Sequence, residues 1–193
     1  GNLSSVTRYV DVLHNRADNY HDRLEVVARV SDDSSDMGTF MRESGTPAFS
    51  TGKISGAYNG VEIGGSSAAG SFDDITVTSP TNAGLAITGS ASSSMNDLTV
   101  TGGNYGVIAE AGASGMMDLT NVDISGTSFD GVYYIKNMNG ELTGSITGAG
   151  AAAIKFGSAT TKDLSWDSME LSNNAIGIDA GGSGALTFTD STF

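Results

Sequence analysis

Apolar and polar residues alternate in short runs through most of the chain, as in Ile75-Thr76-Val77-Thr78, and Gly, Ser, Asn and Asp separate the runs. Alternation of period two puts Ile75 and Val77 on one face of an extended strand and Thr76 and Thr78 on the other. The glycines and asparagines between runs are the residues that enter positive-φ turn positions most cheaply. No helical period survives from Asp74 to Leu186.

The runs also recur. An acid, a branched apolar residue and a hydroxyl stand at Asp74-Ile75-Thr76, Asp97-Leu98-Thr99, Asp118-Leu119-Thr120, Glu141-Leu142-Thr143 and Asp163-Leu164-Ser165, and Ala185-Leu186-Thr187 lacks only the acid. The apolar members step by 23, 21, 23, 22 and 22 residues. A second column, Gly or Ala before apolar-any-apolar, keeps pace at Gly60, Gly84, Gly106, Gly131, Ala153 and Gly177. One such unit cannot bury its apolar face alone and must stack on its neighbours. The predicted fold is all-β: a parallel β-helix, or solenoid, with about 23 residues per coil and coils about 4.8 Å apart. Ile75, Val77, Leu98, Val100, Leu119, Ile124, Leu142, Ile146, Leu164 and Leu186 are then expected to form inward ladders.

The segment Leu171-Ser172-Asn173-Asn174-Ala175-Ile176-Gly177-Ile178 reads apolar, any, Asn-Asn, two residues, Gly-Ile. Here the chain resembles the right-handed parallel β-helix repeat family, the superfold of pectate lyases, tailspikes and many surface proteins. The resemblance covers roughly residues 50–193. It implies a right-handed coil and says almost nothing about function.

Residues 1–50 differ from the rest, holding five of the nine basic residues and both histidines. Val6, Val10, Leu13, Ala17, Tyr20, Leu24 and Val27 have the spacing of an amphipathic helix that would cap the stack. The Asn, Asp and His between His14 and Asp22 oppose it, being poor helix formers. The rival reading is a set of irregular extra coils, because Val6-Thr7-Arg8-Tyr9-Val10-Asp11-Val12 echoes Leu119 to Ile124. We favour the coils, with Asp32 to Asp36 as a loop and Phe40 and Met41 returning to the core. Residues 51–193 form the regular part. Leu186 to Phe193 aligns residue for residue with Leu164 to Leu171 and stops before the Asn-Asn half of the coil. The expectation is a piece of something longer, whose open end takes either the remainder of that chain or another copy end to end.

Charge narrows the choice of partner. Only 16% of residues are charged, yet the net charge is −13. That argues against nucleic acid, which needs clustered Lys and Arg, and against anionic lipid. No cysteine is present to make disulfides or thiolate metal sites. No apolar run approaches the roughly 18 residues that span a bilayer. No secretory signal is visible, so an extracellular or cell-surface location is expected from the repeat type and the lack of cysteine alone.

Three sets of residues are candidates for chemistry. Asp74, Asp97, Asp118, Glu141 and Asp163 would stand as one column of carboxylates. Such a column either binds calcium, whose preferred ligands are hard oxygens, or accepts hydrogen bonds at corners. We expect the second role and no cofactor, since the acid-and-glycine density of calcium-binding repeats is missing. Thr76, Thr99, Thr120, Thr143, Ser165 and Thr187 have outward parity, but Val122, Ser145 and Asp167 break the flat Thr-x-Thr lattice that ice binding would need. Tyr105, Tyr133, Tyr134 and Trp166 lie in neighbouring coils. Tyr105, Tyr133 and Trp166 could offer rings to a carbohydrate, while Tyr134 has core parity.

An enzyme acting on acidic sugars needs cationic groups, yet no arginine follows Arg42 and no histidine follows His21. Carboxylate pairs for glycoside hydrolysis are available from Asp118, Asp123, Asp130 and Glu141, as in any acidic chain. The expected function is therefore a non-catalytic structural or adhesive β-helix segment of a larger extracellular protein. The alternative is a secreted polysaccharide-acting enzyme or carbohydrate-binding domain.

Overall fold

Thr, Val and Ile favour extended backbone, and where they alternate the chain forms strands. The computed structural model describes residues 37–41, 48–63, 69–88, 92–110, 113, 117–135, 140–157, 164–181 and 186–193. Both readings of residues 1–36, helix or extra coils, fall outside the described residues. The described strands begin with β1 (Met37–Met41), β2 (Ala48–Ser55), β3 (Asn59–Ile63), β4 (Ala69–Thr78) and β5 (Ala83–Ile87). They continue with β6 (Ser92–Thr101), β7 (Tyr105–Ala109), β8 (Met117–Ser125), β9 (Val132–Tyr134), β10 (Leu142–Thr147) and β11 (Ala152–Phe156). The last are β12 (Leu164–Asp167), β13 (Met169–Ser172), β14 (Ile176–Ala180) and β15 (Leu186–Thr189). Among the described residues there is no helix, and hence none long and apolar enough to cross a membrane.

Every ladder is parallel, and partners lie one coil apart. A seven-stranded sheet runs β1-β3-β5-β7-β9-β11-β14, a six-stranded sheet runs β13-β10-β8-β6-β4-β2, and β12 pairs with β15. Val61, Leu85, Val107, Val132, Ile154 and Ile178 follow one another in register across the first sheet, at steps of 24, 22, 25, 22 and 24 residues. The chain is an all-β parallel solenoid. Phe40 pairs with Glu62 and Met41 with Ile63 at its first described strand.

The long strands bend at residues held at positive φ: Asp74 (52°), Asp97 (53°), Asn121 (57°), Ser168 (54°) and Asp190 (46°). Around the first four of these bends the order is apolar, any, bend, apolar, any, apolar, as in Phe72-Asp73-Asp74-Ile75-Thr76-Val77 and Met95-Asn96-Asp97-Leu98-Thr99-Val100. Asn and Asp enter this region more readily than other side-chain-bearing residues because their short polar groups bond locally. In β10 the unit is one residue short. There Gly144, at φ 123°, stands opposite Val122 and Met169. A Cβ on Gly144 would lie 2.2 Å from the Val122 carbonyl oxygen, so only glycine fits.

One register differs from the repeat read along the chain. Leu119 pairs with Met95, and Thr99 pairs with Asp123, so Leu98 is level with Val122 rather than with Leu119. Each bend is flanked by two inward apolar positions three residues apart. Asp97-Leu98-Thr99 crosses the bend, whereas Asp118-Leu119-Thr120 precedes it. The 21-residue step marks this change of position.

Of the expected inward residues, Ile75, Val77, Leu98, Val100, Leu119, Ile124, Leu142 and Ile146 are all buried in one continuous core. Leu186 packs against that core part-buried, and the side chain of Leu164 lies outside the described residues. The glycine column is a matter of space. A Cβ on Gly60, Gly84, Gly106 or Gly131 would fall 2.3 to 2.5 Å from a methyl of Val77, Val100, Ile124 or Ile146 respectively. These branched side chains of the six-stranded sheet reach across the core to the bare backbone of the seven-stranded sheet.

Candidate functional site: the bend groove and the outer aromatic face

The bends leave a groove of about 530 Å³ along the six-stranded sheet, lined by Asp74, Asp97, Thr99, Asn121, Asp123, Ser145 and Glu170 among others. Bare carboxylates one coil apart would repel. Several of the acids along this sheet accept hydrogen bonds from amides and hydroxyls, most of them one coil away. Asn96 Nδ2 donates to Asp73 Oδ1 (2.7 Å) and to Asp97 Oδ2 (3.0 Å), and Asn121 Nδ2 donates to Asp97 Oδ1. Ser145 Oγ donates to Asp123 Oδ1 (3.2 Å), and further along Thr189 Oγ1 donates to Asp167 Oδ1 (2.9 Å). The groove is an interlocking polar seam.

The five candidate calcium ligands do not share a column. Asp74 and Asp97 sit at bends, whereas Asp118 pairs with Ser94 on the strand before the bend. Glu141 lies beside Asp118, and its backbone N–H donates to Asp118 Oδ1 at 3.1 Å. Asp163 falls outside the described residues. Among the described residues no three His, Cys, Asp or Glu converge in a way that could hold a metal ion. Of the candidate catalytic acids, Asp118 and Glu141 are neighbours, whereas Asp130 is buried just before β9 and accepts the Ala152 N–H at 3.0 Å. The hydroxyl lattice is short: Thr76 and Thr78 meet Thr99 and Thr101, and the next coil presents Asp123 and Ser125.

Aromatic residues separate into two groups. Inside, Tyr134 stacks on Phe156 and Phe156 on Trp166, with centroids 5.7 and 5.5 Å apart, and the part-buried Phe188 meets Trp166 edge-on at 5.5 Å. Trp166 is buried, and its indole N–H donates to the Gly140 carbonyl at 3.3 Å. It is a core residue and cannot join an outer platform. Burial also pushes the Tyr134 phenol well above its ordinary pKa.

Outside, on the seven-stranded sheet, Tyr105 and Tyr133 do come together, with centroids 5.9 Å apart. Phe129, which repeat parity does not single out, lies 5.8 Å from Tyr105 and is 50% exposed. Its only sequence signal is a large apolar side chain in a polar turn, Thr127-Ser128-Phe129-Asp130. Beneath the rings lie the buried Ala83, Ala86 and Ile108, and Ile135 packs beside them. Lys155 Nζ lies 5.5 Å from the Tyr133 ring centre and 3.7 Å from Asp179 Oδ2. The Tyr105 phenol is held above its ordinary pKa by burial first, then by the neighbouring Asp130 and Tyr133, with Lys155 opposing.

Compared with protein-family models, curated proteins and solved structures, the chain matches none.

Proposed function

We propose that the chain is a non-catalytic structural and adhesive segment of a larger extracellular or cell-surface protein, serving as a stiff spacer. The observation that carries this reading is the unbroken core from Ile54 to Leu171, in which each coil buries the inward residues of the next. Parallel ladders join successive coils, and the rod lengthens by about 4.8 Å with each one. The carboxylates of Asp73, Asp97 and Asp123, engaged by Asn96, Asn121 and Ser145, support a seam between coils over a set of free acids waiting for substrate. A net charge of −13 disfavours nucleic acid and anionic membranes as partners.

The solenoid is, in this proposal, of the right-handed pectate-lyase-like kind. Support comes from the Asn-Asn pair of the last coil. Asn173 takes the left-handed conformation (φ 55°). Asn174 reaches the preceding coil, where its Nδ2 donates to the Ile146 carbonyl (2.9 Å) and its Oδ1 accepts the Ala149 N–H (2.8 Å).

Pulling the chain from its two ends in a single-molecule force experiment tests the spacer. Stacked coils should rupture one after another, in steps of roughly one 23-residue repeat, while neutral and acidic polysaccharides incubated with the chain release no new reducing ends. A smooth, stepless extension would sink the spacer reading. Saturable turnover that a single carboxylate-to-amide change removes would sink the non-catalytic one.

A further inference from the structure

In a solenoid each coil is held by its two neighbours, so stability is a sum of coil-to-coil interfaces and the weakest one opens first. Along the six-stranded sheet the strands shorten abruptly: β4, β6 and β8 have 10, 10 and 9 residues, β10 has 6 and β13 has 4. One inward column of that sheet runs Ile75, Leu98, Val122, Gly144 and Met169, and of these only the glycine brings no side chain. We propose that the interface between β10 and β13 is a hinge, at which the rod bends by opening on the side of the bend groove. The proposal rests on the spacer reading and deepens it, since it says where the rod yields.

Two losses meet in β10. Its unit, Leu142-Thr143-Gly144-Ser145-Ile146, lacks the bend residue that the coils on either side have at Asn121 and Ser168. It also lacks the inward apolar residue, and no substitution at Gly144 can restore it, because a Cβ there would lie 2.2 Å from the Val122 carbonyl oxygen. A glycine inside a strand weakens it for want of packing. Towards β8 the strand stays fastened: Ser145 Oγ donates to Asp123, and Thr143 Oγ1 accepts the Asn121 N–H at 2.9 Å. Towards β13 the ladder covers only Gly144 to Thr147. There the Gly144 N–H donates to the Ser168 carbonyl at 3.4 Å, and past the end of β10 the Gly148 N–H reaches the Ser172 carbonyl at 3.2 Å. The equivalent bonds from Gly56, Ser79, Gly102 and Gly126 span 2.7 to 3.0 Å.

The opposite side of the same interface is pinned. Asn174 spans it with both ends of its amide, on the Ile146 carbonyl and the Ala149 N–H. The Ala175 and Ile176 N–H groups donate to the Ala149 and Ala151 carbonyls at 3.1 and 2.8 Å. From there β14 follows β11 in register, from Ile176 opposite Ala152 to Ala180 opposite Phe156. An interface that is thin along one edge and fastened along the other swings open rather than separating. Hinges of this kind confine the motion to a few residues, so a stiff spacer gains a joint without losing its stack.

Hydrogen exchange of the intact chain, followed by mass spectrometry without load, tests the hinge apart from the spacer. A stepless extension under force would sink the spacer and leave the exchange pattern as it is. The amides of Gly144 to Gly148 should exchange at least about tenfold faster than their level partners Val122 to Gly126, while Ala175 and Ile176 stay protected. The chain has no cysteine, so a disulfide can be placed across the interface at the level partners Ser145→Cys and Glu170→Cys. Strands about 4.8 Å apart are within its reach. Oxidation should remove most of the excess exchange and reduction should restore it. The same bridge between β4 and β6, Thr76→Cys with Thr99→Cys, should leave that exchange unchanged. The proposal is overturned if Gly144 to Gly148 exchange no faster than Val122 to Gly126, or if the β4–β6 bridge protects them as well as the first. It is equally overturned if Ala175 and Ile176 exchange along with them, since the coil would then be coming off whole.

Discussion

Replacing Gly84 by alanine probes the contact on which the two main sheets close. The new Cβ would lie 2.4 and 2.7 Å from the two methyls of Val100 and 2.8 Å from the Gly106 carbonyl oxygen of the next coil. Favourable contacts between carbon atoms begin at about 3.5 Å, so the overlap is about 1 Å. Val100 cannot easily turn away, because it is fully buried and a β-branched side chain has few rotamers. The Gly106 carbonyl belongs to a backbone in the adjacent ladder. Both sheets must therefore shift, and the cost belongs at the upper end of the overpacking range, about 3 kcal/mol.

The repeat supplies its own control. Gly177 occupies the same column, yet a Cβ there would meet nothing within 4 Å. Gly177→Ala should therefore gain about 0.5–1 kcal/mol, the usual advantage of alanine over glycine inside a strand. A third variant, Gly84→Ala with Val100→Ala, removes the clashing methyls and leaves only the carbonyl contact. Its loss should be smaller than the sum of the two single losses by about 1–2 kcal/mol, a coupling expected of residues in contact. Urea unfolding followed by both far-UV circular dichroism and the fluorescence of the buried Trp166 measures all three, and coincident curves justify two-state treatment. Equal effects at Gly84 and Gly177, or an additive double variant, would refute the packing argument.

Two further outcomes follow from the charged groups. Burial, and then the neighbouring Glu62, raises the Glu110 carboxyl above its ordinary 4.5. The folded state thus holds that proton more tightly than the unfolded state, so stability falls as pH rises through the raised value and the loss is complete above it. Glu110→Gln should therefore melt higher than the parent chain at neutral pH and no higher well below 4.5; a difference independent of pH would refute this assignment. Millimolar calcium should shift the melting temperature only as far as general screening does. A saturable rise in melting temperature that Asp97→Asn abolishes would make the bend groove a cation site.

The inward ladders were legible because a parallel sheet preserves side-chain parity from coil to coil. Alternation alone places Tyr134 inside and Tyr133 outside, and both are found there. The match of Leu186–Phe193 with Leu164–Leu171 is reproduced strand against strand where β12 meets β15, Leu164 with Leu186 and Trp166 with Phe188. The same parity that assigns Ser165 to the outside assigns Trp166 to the inside, so its burial needed no tertiary information. The slip at Leu119 is different in kind. Because each bend has an inward apolar residue on both sides, an acid-apolar-hydroxyl phrase fits either side equally well, and only inter-coil pairing decides. That choice splits the acids into Asp74 with Asp97 and Asp118 with Glu141.

Least legible was the outer aromatic face. Tyr105 and Phe129 are separated by 24 residues, and Phe129 stands in a turn where period two has no meaning. Their rings come within 5.8 Å only because the coil between them closes on itself, with the Phe129 N–H on the Asn104 carbonyl. Proximity of this kind belongs to the stack rather than to any repeat within it. Residues that break the repeat pattern, as Phe129 does, are therefore placed by closure of the coil, which period two along the chain does not report.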